Sequence, residues 1–115
     1  MNIEEMRDLC LSLGEVTEKC PFGRFAARYD SILAFYVEGH MFCFFDIDDF
    51  SYVDVRSTPE AIAEMRERYT SVGHPLNRSL RYWIEVRPGG DMGDAAICDL
   101  VRRAYTLVRD KYRRR

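Results

Sequence analysis

The stretch from Ser31 to Val55 constrains this chain more than any other. It reads SILAFYVEGHMFCFFDIDDFSYVDV: three apolar runs separated by two turn-like clusters. Glu38-Gly39, between the first two runs, fits a two-residue hairpin in which glycine supplies a positive φ. Such a turn sets the register, with Val37 opposite His40, Phe35 opposite Phe42 and Leu33 opposite Phe44 on one face. Ile32, Ala34 and Tyr36 then meet Phe45, Cys43 and Met41 on the other, because successive strand residues point to opposite sides. Both faces of the ribbon are therefore apolar. A sheet backed by helices on one side normally alternates apolar with polar. The second face thus calls for a cover of its own: a long loop, the tail of the chain or a second subunit.

Tyr52-Val53-Asp54-Val55 resumes alternation after an aspartate-rich turn. The run from Asp46 to Ser51 has the outline of a calcium loop. Such a loop needs glycine at its sixth position and glutamate at its twelfth, where this chain has Ser51 and Ser57. Aspartates capping a turn explain the run.

The flanks supply helices. Asn2 and Glu5 have capping-box spacing, and Ile3, Met6, Leu9, Cys10 and Leu13 form an amphipathic stripe that Gly14 can end. Glu15 to Arg24 reads as a connector anchored by Val16 and Phe22, with a turn at Cys20-Pro21-Phe22-Gly23. Phe25 to Asp30 fits either an extension of the first strand or a loop. After the meander, either Thr58 caps a second helix with Pro59 at its first position, or Ser57 caps it and Glu60 completes a box. Ile62, Met65 and Tyr69 form its buried stripe. Thr70 to Leu76 is a weak strand signal, interrupted by Gly73 and stopped by Pro75. From Arg81 to Arg87 alternation returns, with Tyr82, Ile84 and Val86 on one face and Arg81, Trp83, Glu85 and Arg87 on the other. Asp94 is placed to cap a last helix whose buried side runs through Ile97, Val101, Ala104, Tyr105, Val108 and Tyr112, widened by Leu100 and Leu107. The expected fold is α+β: a two-layer domain, an antiparallel sheet packed by helices, in the order α-β-β-β-α-β-β-α.

A chain of 115 residues makes one domain, residues 1–115, with a single core. Its 47% hydrophobic and 13% aromatic content excludes a disordered chain. No apolar run is long enough to cross a bilayer and no signal-peptide pattern opens the sequence, so a soluble, cytoplasmic protein is expected. Cys10, Cys20, Cys43 and Cys98 lie far apart, and three of them occupy apolar positions, which suits reduced thiols. Net charge is −2, which does not advertise a nucleic-acid partner. The charge is nonetheless unevenly spread: seven Arg/Lys and two Asp from Ala95 onward, against ten basic and seventeen acidic residues before it. That polarity suits the macrodipole of a last helix and can also steer an anionic partner to one end.

Three stretches carry a family resemblance: the opening MNIEEMRDLCLSLGEVTEKCPFG, the hairpin YVEGHMFCFFDID and the ending AYTLVRDKY. Together they resemble the MmcQ/YjbR family across nearly the whole chain. The resemblance implies a small α/β fold like those of frataxin and the secretion chaperones. It also implies a role in binding DNA through a proposed double-wing arrangement. The family's run of Met-Asn-basic-basic-His-Trp before the fifth strand is matched by Leu76-Asn77-Arg78-Ser79-Leu80-Arg81-Tyr82-Trp83. That run is two residues longer between Asn and Trp, with Tyr82 where the family has His. Asn77, Arg81 and Trp83 carry over.

Two functional classes follow. In the first, the protein is a non-catalytic DNA-binding protein. Asn77, Arg78, Arg81 and Arg87 then supply phosphate contacts beside the aromatic surface of Tyr82 and Trp83, with Arg102, Arg103, Arg109 and Lys111 as a second positive strip. Against it stands a sequence pI of ≈ 5.7, well below that of most nucleic-acid modules. In the second, it is a protein-interaction module, chaperone-like or a dimeric adaptor, that uses the aromatic sheet face of Phe35, Tyr36, Phe42, Phe44 and Phe45 to take another protein or a second copy of itself. An enzyme is not expected. His40 and His74 sit in no nucleophile or metal pattern. Glu4, Glu5 and Asp8 on the first helix are too few for an iron site, and no cofactor motif is present.

Overall fold

A computed structural model of the chain describes residues 1–20, 31–73 and 81–113. Its elements run α1 (Ile3–Ser12), β1 (Thr17–Lys19), β2 (Ile32–Val37), β3 (His40–Asp46), β4 (Val53–Arg56), α2 (Pro59–Arg68), β5 (Val72–Gly73), β6 (Trp83–Val86) and α3 (Asp94–Tyr112). The six strands form one antiparallel sheet in the order β1-β2-β3-β4-β6-β5. The expected α+β architecture is the observed one, with an added strand: Thr17–Lys19, read from the sequence as connector, pairs with the outer edge of β2. Three residues are too few for a periodicity to register. The turn at Cys20–Gly23 and the open question at Phe25 to Asp30 fall in the stretch 21–30, outside the described residues.

Glu38 and Gly39 both have positive φ, +52° and +76°, the geometry of the tight hairpin turn that matches strand twist. Val37 pairs with His40 and Tyr36 with Met41 as expected. Beyond Tyr36 the expected register fails by one residue. Phe35 opposes Cys43, Ala34 opposes Phe44 and Leu33 opposes Phe45, because β3 bulges at Phe42. A bulge puts two consecutive side chains on one side of the strand. Phe42 and Cys43 are accordingly both fully buried, and the Phe42 ring meets Tyr105 of α3 edge-on, centroids 5.5 Å apart. Simple counting from the turn has no way to register that extra residue.

The three helices of the described residues lie against one face. Met6 and Cys10 of α1, Ile62 of α2 and Ile97, Leu100, Val101, Ala104, Tyr105 and Val108 of α3 join Phe35, Val37, Phe45, Val53, Val55, Val72, Ile84 and Val86 in one cluster. The caps of α1 and α2 are those the sequence encodes. Asn2 Oδ1 accepts from Glu5 N at 2.8 Å while Glu5 Oε1 accepts from Asn2 N. Of the two caps open for α2, Thr58 is used, accepting from Ala61 N at 3.2 Å with Pro59 first in the helix. Asp94 is not a cap. Gly93 takes that position without a side-chain bond, and the Asp94 carboxylate receives the Met1 ammonium at 3.1 Å instead. Leu107, expected on the buried side of α3, is exposed. Asp46 Oδ1 accepts from the backbone N–H of Asp48 and Asp49, which makes the aspartate-rich run a side-chain-capped turn.

The loop after β6 is pinned to the turn after α2. Asp91 accepts from the backbone N–H groups of Thr70 and Ser71, each at 2.8 Å, and Ser71 Oγ accepts from Met92 N. Those bonds hold the Asp91 carboxyl down at about 2. No helix among the described residues is long and apolar enough to cross a membrane.

Candidate nucleic-acid interface

The sheet's other face carries the chemistry. Strand alternation and the pairing register put Lys19, Tyr36, Met41, Phe44, Asp54, Arg56, Trp83 and Glu85 on it, with Tyr52, Arg81 and Arg87 just outside the ends of β4 and β6. Among the described residues no helix packs there, and Tyr36, Met41, Phe44, Asp54, Arg56, Trp83 and Glu85 are half-buried. The apolar second face read from the ribbon holds at Tyr36 and Met41, while the bulge sends Cys43 and Phe45 to the core and brings Phe44, expected on the first face, to the second. Toward β4 and β6 it becomes mixed, aromatic and charged.

One end is an arginine–aromatic stack. Arg56 is the cross-strand partner of Trp83. Its guanidinium carbon lies 5.9 Å from the Trp83 centroid and 5.8 Å from that of Tyr82, and Arg81 covers Tyr82 at 5.0 Å. Trp83 leans in turn on Phe44, centroids 5.1 Å apart. The Ser57 N–H donates to the Tyr82 carbonyl at 2.7 Å, which fixes the start of β6 beside the end of β4. Arg56 Nε is buried and has no hydrogen-bond partner among the described residues. At the other end of β6, Arg87 donates to the Tyr52 hydroxyl at 2.8 Å and lies over its ring.

Between the two ends sit Asp54 and Glu85, directly opposite one another on neighbouring strands. Burial, and secondarily the Glu85 charge, pushes the Asp54 carboxyl up to about 7. Glu85 is also raised by burial, with Arg87 pulling the other way. Gly73 makes room for it, since a Cβ there would stand 3.1 Å from Glu85 Oε2.

Of the residues marked out by the sequence, the fold brings together Arg81, Tyr82 and Trp83 at the start of β6 and places Arg87 just past its far end. Asn77 and Arg78 lie outside the described residues, as do His74 and Pro75. Tyr82 departs from expectation. It precedes β6 instead of sharing the core face with Ile84 and Val86, and it is 39% exposed under its two arginines. Arg56 was missed. Its place beside Trp83 depends on β6 pairing with β4 across an intervening helix and strand, which nothing in its own neighbourhood signals. Of the expected second strip, Arg102, Arg103 and Lys111 line a groove along α3, and Arg103 also lines a cavity with Arg56, Ser57 and Thr58 at the end of β4. A trough of about 340 Å³ between α2 and α3 is likewise on the helix side. Its lining mixes Glu64 and Asp99 with Arg68 and Arg103, which offers an anion no single sign of potential.

Similar proteins share this frame. The crystal structure of Deinococcus radiodurans protein DR2400, with domain DUF419, superposes with a TM-score of 0.81 at 24% identity, over 99% of this chain and 83% of that one. A crystal structure of a Pseudomonas syringae protein superposes with a TM-score of 0.71 at 17% identity, over 95% of this chain and 100% of that one. No curated protein matches the chain at a significant level. The YjbR family model matches residues 11–107, from the last turn of α1 well into α3, so the sheet and its face opposite the described helices fall within the match and this chain belongs to the YjbR family.

Proposed function

We propose that this protein is a non-catalytic DNA-binding protein that contacts its ligand through the sheet face opposite the described helices. The observation that carries the reading is the stack of Arg81 on Tyr82 and of Arg56 on both Tyr82 and Trp83. Cationic groups held against aromatic rings on one strand end combine the two things a nucleic-acid strand offers, phosphate charge and base π-surface. Arg87 and Lys19 extend the positive rim along β6 and over Tyr36 of β2. Half-buried rings at strand positions form a stacking platform that tolerates any base, so the reading favours unpaired or locally opened DNA over sequence-read duplex. The acidic whole works against long-range attraction, which makes the local arrangement decisive.

Trp83 is the sole tryptophan and therefore reports on its own site. Titration with an unlabelled oligonucleotide at low ionic strength should quench its emission. Affinity should fall with salt along a slope of about −0.7 per single-strand phosphate contact. Arg81→Ala and Arg56→Ala should each flatten that slope by about one contact. Absence of both quenching and binding at low salt would overturn the reading. A stable dimer whose interface protects Trp83 would then point to the protein-interaction class.

A further inference from the structure

We infer that the Asp54–Glu85 pair is a charge-operated brake on that face, loosening its hold on the DNA strand when both carboxylates are ionised. The inference rests on the proposed DNA reading and adds its regulation. Two carboxylates stand directly opposite on adjacent strands, an arrangement that is unfavourable when both are ionised. They occupy the middle of the path between the arginine–aromatic end at Arg56, Arg81 and Trp83 and the Arg87–Tyr52 end. A phosphate chain reaching both ends therefore crosses them.

Among the described residues, the groups around Asp54 leave it short of cationic support. From β3 it faces Phe44, with Asp46 diagonally beyond; along its own chain stand Tyr52, just before β4, and Arg56; from β6 comes Glu85, with Arg87 just past that strand; past Glu85 lies Gly73 of β5. Arg56 is turned to the aromatic rings and Arg87 to Tyr52. Asp46 is engaged with the turn it caps. None of these groups forms an ion pair with Asp54 among the described residues. Its position near neutrality, about 7, follows from burial and from Glu85, and it puts the change of charge within the physiological range. An arriving phosphate favours the protonated form, so binding takes up a proton and weakens as pH rises.

Two measurements test this together. Carboxyl-carbon NMR of the free protein should show Asp54 titrating near neutrality, with its midpoint lowered in Glu85→Gln. Oligonucleotide affinity measured at constant ionic strength from pH 5.5 to 8.5 should fall about tenfold for the parent, the effect of a shift of about one unit on binding. In Asp54→Asn it should stay level and exceed the parent at the alkaline end. Parallel profiles for parent and variant, or an Asp54 midpoint in the ordinary carboxylate range, would overturn the brake alone. Absence of binding at every pH would overturn the DNA reading and the brake with it.

Discussion

Asp54→Asn should turn a pH-dependent fold into one whose stability is nearly level across neutrality. In the native state the Asp54 carboxyl sits at about 7, against an ordinary value of 3.8. The folded protein therefore holds this proton more tightly than the unfolded chain does. Stability associated with the group is fully present below pH 3.8, declines as pH rises and is gone above pH 7. A displacement of about three units corresponds to roughly 4 kcal/mol, a large part of a typical domain's roughly 5–15 kcal/mol. Asparagine keeps the shape and removes the ionisation, at the cost of setting a half-buried amide opposite Glu85. The parent should therefore lose about 2–4 kcal/mol relative to the variant between pH 4 and pH 8.5. Urea unfolding at fixed ionic strength, extrapolated to water at each pH, gives both curves. A gap between parent and variant that is constant with pH would refute the reasoning, and so would one that grows toward acid, since either outcome means that Asp54 is not held protonated by the fold.

Two further predictions concern the frame that presents the face. Gly90→Ala places a Cβ 2.6 Å from Ser71 Cβ, within the loop that Asp91 pins. It should cost about 2–4 kcal/mol by thermal or denaturant unfolding, whereas Gly93→Ala, with open space around it, should stay within about 1 kcal/mol of the parent. Phe42→Ala removes a fully buried ring and its edge contact with Tyr105, and should lower stability by about 3–5 kcal/mol.

The parts legible in the sequence were those whose signals are local. The Asn2–Glu5 box, the Thr58-Pro59 start and the turn at Glu38-Gly39 each depend on a few adjacent residues, and each is built as written. Alternation from Trp83 to Val86 likewise sorted Ile84 and Val86 into the core and Trp83 and Glu85 to the other side. The losses were non-local. The bulge at Phe42 is settled by what α3 needs to bury, and β1 exists only because the edge of β2 is there to pair with it. Asp94 lost its expected role as a cap because an ammonium group some ninety residues earlier in the chain claimed its carboxylate. The candidate site shows the same division. Arg81, Tyr82 and Trp83 stand together in sequence and were found there, but Arg56 and Asp54 join them only through a strand pairing that skips over α2 and β5.

That skipped pairing orders how the molecule comes together. The β2–β3 hairpin closes a loop of two residues, whereas setting Arg56 against Trp83 closes one of twenty-six, a larger entropic demand that non-local contacts must meet before they are rewarded. The ribbon at the centre of the sheet can therefore condense while β6 is still searching for its edge. Closure of the seam between β4 and β6 is therefore expected to come after the β2–β3 ribbon, so the pairing of Arg56 with Trp83 is among the last to form.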